Sequence, residues 1–139
     1  MSQFLSRLVL ATGDDSGQWE VVVPLVYASD VANRIITVPS GFRTDLASTP
    51  RIPIIYEACG NIAAMPAVVH DYLYASGREP RDIADAVLRE ASAVVGVSWW
   101  QRWAMWAGVR IGGASHYTAT PSEMIVPPAM SASLESLGV

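Results

Sequence analysis

Residues 4–10, 19–27 and 34–38 are rich in β-branched, aromatic and leucine side chains, and Gly13-Asp14-Asp15-Ser16-Gly17 and the segment 28–33 separate them. Such runs between turn-forming residues predict three short strands in a small antiparallel sheet. Pro39-Ser40-Gly41 ends this half, and residues 42–53, with Pro50 and Pro53 beyond Thr44, predict an extended loop. From Ala63 the period changes. Ala64, Val68 and Tyr72 or Leu73 recur at threes and fours, Pro66 falls in the first turn where proline is tolerated, and Gly77 stands where a helix would stop. A second helix is predicted over 80–95, with Asp82 near its start, Ile83, Val87, Leu88, Ala91, Val94 and Val95 along one side, and Gly96 closing it. The short Gly77–Pro80 turn makes it antiparallel to the first. Ser98 reads as the N-cap of a third helix over 99–111, ended by Gly112-Gly113. Residues 114–139 hold three prolines, five serines and no periodic apolar face, so they are expected to form an extended C-terminal arm without a core of its own. The expected fold is therefore α+β: one domain over 1–113, built from a small N-terminal antiparallel sheet and a three-helix unit, then the arm over 114–139.

Composition narrows the function. At 139 residues there is room for one core, which excludes a multi-domain enzyme. Hydrophobic residues make up 51% and charged residues 16%, an apolar balance that suggests surface destined for a partner. The net charge is −4 and the arginines are scattered, so nucleic acid is not an expected ligand. All nine basic residues are arginine, which removes Schiff-base and lysine-dependent phosphate chemistry. The single cysteine, Cys59, excludes an intramolecular disulfide and any multi-cysteine metal site, and is expected to be a small buried hydrophobe. The N-terminus lacks the charged-then-apolar order of a signal peptide, and no run of eighteen apolar residues occurs, so no transmembrane segment is expected.

Candidate chemistry concentrates in Val69-His70-Asp71-Tyr72-Leu73-Tyr74. His70 and Tyr74, four apart, share a helix face, while Asp71 is turned from His70 by about 100°. Asp85 on the next helix is placed to meet that face. A histidine held by Asp85 and Tyr74 has the arrangement of a general base that activates water, and Asp71 would then face a divalent cation or the loop at Thr44-Asp45. The same four residues equally describe a buried hydrogen-bond network that pins helix to helix. Asp45, in Phe42-Arg43-Thr44-Asp45-Leu46-Ala47-Ser48-Thr49-Pro50, is either a second carboxylate for a cation or an ordinary turn residue. A Ser48–His70 nucleophilic pair lacks the glycine-flanked elbow such serines use. On the third helix, Trp99, Trp100, Trp103 and Trp106 spread aromatic surface around the axis, which suits core packing against the sheet on one side and a protein partner or membrane-surface contact on the other.

The stretches Val38-Pro-Ser-Gly-Phe-Arg-Thr-Asp-Leu-Ala-Ser-Thr-Pro50, Ala67-Val-Val-His-Asp-Tyr-Leu-Tyr74, Ala84-Asp85 and Gly96-Val-Ser-Trp-Trp100, in this order and spacing, resemble the small phage and prophage proteins of domain-of-unknown-function family 1353. The resemblance implies a phage or prophage origin with no activity attached; together with the apolar balance and the tryptophan helix it leads to the expectation of a phage particle as the setting, with synthesis in the bacterial host cytoplasm, and other particle proteins or a second copy as partners. A fainter similarity is to phospholipases of the A-two type, whose catalytic helix carries His-Asp-x-x-Tyr. It implies His70 as base, Asp71 as a calcium ligand, and Tyr74 with Asp85 in support. Here the upstream segment lacks the glycine-rich calcium loop of those enzymes. Two expectations follow: an accessory, tail-associated structural component of a phage particle, or a phage-encoded hydrolase of phospholipid or cell-wall ester or amide bonds.

Overall fold

The structure, a computed structural model, describes residues 1–12, 18–44, 63–114 and 117. Six short strands precede three helices: β1 (Gln3–Phe4), β2 (Leu10–Thr12), β3 (Trp19–Val21), β4 (Leu25–Ser29), β5 (Arg34–Val38), β6 (Arg43–Thr44), α1 (Ala64–Ser76), α2 (Arg81–Val94) and α3 (Trp99–Gly112). The expected α+β order is what the chain adopts. Asp45, Ser48, Cys59 and the arm beyond Tyr117 lie outside the described residues.

All strand pairs are antiparallel, in two three-stranded sheets ordered β1-β4-β5 and β2-β3-β6. Two of the three expected strands are thus each divided, and Pro24 gives the physical reason. It has no N–H for a ladder, so the 19–27 run breaks between β3 and β4. Ser6 fills the gap opposite: its hydroxyl donates to the Pro24 carbonyl at 2.9 Å and accepts from the Val26 N–H at 2.8 Å. Backbone bonds from Val21 to Phe42 (2.8 Å) and from Gly41 to Val21 (2.7 Å) carry the third strand across the same bend. The result is one antiparallel meander folded at its middle. Pairing at β6 also extends the sheet into Arg43-Thr44, which the sequence assigns to loop, and this fixes Thr44 beside the helices.

Leu25, Tyr27, Ile36 and Val38 alternate onto one face and pack against Val68, Val69, Tyr72 and Leu73 of α1 and Val87 and Ala91 of α2. A second cluster, Leu88, Val97, Met105 and Val109, joins α3 to α2. The third helix therefore builds its core against a helix, where packing against the sheet was one expectation. Helix ends fall close to the predicted positions. Gly77 closes α1 in the left-handed conformation, φ 63°, and its N–H bonds the Leu73 carbonyl at 3.1 Å. Ser98 sits at the N-cap of α3 in extended conformation, but its hydroxyl donates to Gln101 Oε1 at 2.6 Å and leaves the helix N–H groups uncapped.

Glu90 on α2 anchors the β4–β5 hairpin. One carboxylate oxygen accepts from the Tyr27 hydroxyl (2.8 Å) and the Ser29 hydroxyl (2.7 Å), and the other accepts from the Val31 N–H (2.9 Å). Burial together with this carboxylate pushes the Tyr27 phenol well above its usual range, so it remains a donor.

Candidate functional site

His70, Tyr74 and Asp85 meet as the spacing predicts. Positions 70 and 74 are one turn apart on α1, and the four-residue connection to α2 brings Asp85 opposite them. His70 Nε2 lies 2.8 Å from Asp85 Oδ1, and the Tyr74 hydroxyl donates to the same oxygen at 2.5 Å. The two rings are stacked obliquely, with centroids 4.1 Å apart.

Two arginines complete the cluster, and the sequence reading does not identify either. Arg110, on the last turn of α3, donates from Nη1 to Asp85 Oδ2 at 2.8 Å. Arg81, one turn before Asp85 on α2, lies 4.0 Å from the same oxygen and donates to the Tyr74 hydroxyl at 3.2 Å. Its Nη2 also donates to the Val109 and Arg110 carbonyls at 2.6 and 2.8 Å, satisfying acceptors that the end of α3 would otherwise leave open. Asp85 is fully buried and thus links all three helices. The only signal for Arg110 is a cation in the last turn of a helix, which ordinarily reads as a dipole partner.

Electrostatics follows from this geometry. Burial opposes the Asp85 charge, but the bonds from His70 and Tyr74 and the Arg110 guanidinium outweigh it and hold the carboxyl below its ordinary value. Burial, reinforced by the bond to Asp85, raises the Tyr74 phenol. His70 is 1% exposed. The ring is closed from solvent, and Nε2 is committed to the carboxylate.

Asp71 faces away from this cluster, as its helical angle requires. Thr44 donates to Asp71 Oδ2 at 2.5 Å, which ties α1 to β6. Asp71 and Thr44 have further partners. Among the described residues no group of three histidine, cysteine or carboxylate side chains is placed to hold a metal ion, and Asp45, the proposed companion of Asp71, is outside that set.

The tryptophans divide as the α3 face turns. Trp99, Trp100 and Trp103 are exposed, whereas Trp106 is half-buried. The Arg89 guanidinium lies 4.2 Å from the Trp103 ring centroid and 5.3 Å from that of Trp106, within cation–π range. No described helix is long and apolar enough to cross a membrane.

Gly113 abuts the cluster. A Cβ there would lie 2.4 Å from the Val109 carbonyl oxygen and 2.8 Å from the Tyr74 hydroxyl. Gly113→Ala is therefore expected to cost about 1–3 kcal/mol of unfolding free energy in a urea titration, the range for overpacking a closed site. An unchanged midpoint would mean that the end of α3 is free to move away from Tyr74.

An α+β domain whose three helices are joined at one buried carboxylate is the class these observations define. The profile of family DUF1353, described as a protein of unknown function, matches residues 19–109, which include α1, α2, His70, Tyr74 and Asp85, and the chain belongs to that family. No curated protein and no solved structure matches the chain.

Proposed function

We propose that this chain is an accessory structural component of a bacteriophage particle, associated with the tail. The observation that carries the structural part of this reading is the closure of the His70 site. A general base needs a reachable nitrogen and space for water and substrate. His70 is 1% exposed, and its carboxylate partner also receives bonds from Tyr74 and Arg110. Such a network fixes one arrangement of three helices. The resemblance to small phage and prophage proteins supports the particle as its setting. Mass spectra of purified particles and of their separated tails are expected to contain the polypeptide. Its absence from particles made by a host that expresses it would overturn the proposal.

A second reading is favoured by one observation. His70 binds Asp85 through Nε2, so Nδ1 is the nitrogen left to take a proton from water, with the Asp71 carboxylate next along the helix. That is the arrangement a hydrolase of ester or amide bonds would use, with a divalent cation such as calcium at Asp71. Hydrolysis of phospholipid vesicles or cell-wall fragments that is lost in Asp71→Asn, in a variant that melts like the wild type, would select this reading.

A further inference from the structure

The chain leaves α3 across the His70 cluster. Gly113 is buried with its backbone against the Tyr74 hydroxyl, which a Cβ would meet at 2.8 Å. Tyr117 then meets Tyr74 edge to face, with ring centroids 5.4 Å apart and planes at 83°. The Tyr117 hydroxyl donates at 2.7 Å to the carbonyl of Glu79, in the turn between α1 and α2. Tyr74 in turn lies against His70. Exposure rises along this series: His70 and Tyr74 are buried, and Tyr117 is half-buried. Three rings in contact thus run from the interior toward solvent, and the outermost belongs to the segment that follows α3.

We propose that Tyr117 is a latch that closes the His70 cluster to water and releases without parting the three helices. Its place at the outer end of the series is the first support. The second is its independence of the junction. The bonds from His70, Tyr74 and Arg110 to Asp85, and from Arg81 to the Val109 and Arg110 carbonyls, join the helices without using Tyr117. The Tyr117 side chain is held by a neutral hydrogen bond, an aromatic edge contact and apolar packing on the core. A neutral bond is weaker than the charge-assisted bonds at Asp85, so the latch is the part of the closure that yields first.

Release has a defined consequence. With Tyr117 lifted, Tyr74 becomes the outermost ring, and water reaches the hydroxyl that Gly113 and Tyr117 had enclosed. Water can replace its hydrogen bonds, and rotation about χ1 to another staggered position then uncovers the His70 ring behind it. The chain continues beyond Tyr117, so a load on that later sequence acts on Tyr74 before it acts on the helix packing. The inference rests on the structural reading and deepens it, because it names what keeps the junction closed.

The rate at which diethyl pyrocarbonate modifies His70 in the full chain, followed by peptide mass in increasing urea below the unfolding transition, tests the latch. Release of one side chain exposes little surface, so the rate is expected to be nearly independent of urea, whereas modification through global unfolding rises with the full denaturant dependence. Tyr117→Ala is expected to raise the urea-independent rate about ten-fold, and Tyr117→Phe, which keeps the ring edge and loses the bond to Glu79, to raise it less. A rate without urea that Tyr117→Ala leaves unchanged, or one that follows the global transition in the wild type and both variants, would overturn the latch. Either result, with His70 still protected, leaves the closed junction standing. A native His70 that reacts nearly as fast as a free imidazole would overturn both.

Discussion

Asp85→Ala is expected to lower the unfolding free energy by about 3–5 kcal/mol, the usual cost of removing one partner from a buried ionic network. The substitution takes the acceptor from His70, Tyr74 and Arg110 together, and it leaves a gap at the junction of the three helices. Asp85→Asn keeps the volume and one acceptor oxygen, so its loss should be smaller, about 1–3 kcal/mol. Urea denaturation at neutral pH gives both values. Equal small losses, below about 1 kcal/mol, would mean that the cluster contributes little to holding the helices together. The same carboxylate predicts an acid limb. Its pKa in the folded chain is depressed below 3.8, so the stability it contributes is present above that value and is lost as pH falls through the lower, folded value. The difference between wild type and Asp85→Asn should therefore be constant at neutral pH and shrink below about pH 4.

Glu90→Ala is the second large effect. Three donors converge on this carboxylate, and one of them, the Tyr27 hydroxyl, belongs to a fully buried side chain of the sheet core. Their loss is expected to cost about 2–4 kcal/mol in the same denaturation experiment, since each buried donor left unpaired costs about 1–3 kcal/mol and Val31 is free to turn to water. Amide hydrogen exchange should localise the damage to the β4–β5 hairpin, with the α1–α2 contacts still protected. Uniform loss of protection across the helices would instead make Glu90 part of one cooperative unit with Asp85.

These two carboxylates show what the sequence makes legible. His70, Tyr74 and Asp85 could be assembled from local rules, because one pair shares a helix face and a short turn returns the next helix against it. The order of strands and helices was readable for the same reason: alternation and helical period are local signals, and β5 falls at Arg34–Val38 as predicted. Arg110 and Arg81 were not readable as site residues, since their roles depend on how α3 crosses α2, and nothing in their immediate sequence marks that crossing. Glu90 resembles any solvated charge on an amphipathic helix, and its three donors lie about sixty positions earlier in the chain. Pro24 advertised the strand break, but the Ser6 hydroxyl that bridges it is recognisable only once the strands are paired. The tryptophans were visible from the start. Which of them would face outward depended on Met105 and Val109 joining Leu88.

Whether the His70 cluster is a closed structural junction is read from the rate at which diethyl pyrocarbonate modifies His70 in the native chain, followed by peptide mass. A structural junction predicts modification only through opening of the fold, orders of magnitude slower than for a free imidazole and accelerated in Asp85→Asn. Modification of the native protein within about ten-fold of the free imidazole rate would show a reachable base, contradict the structural account and favour the hydrolase.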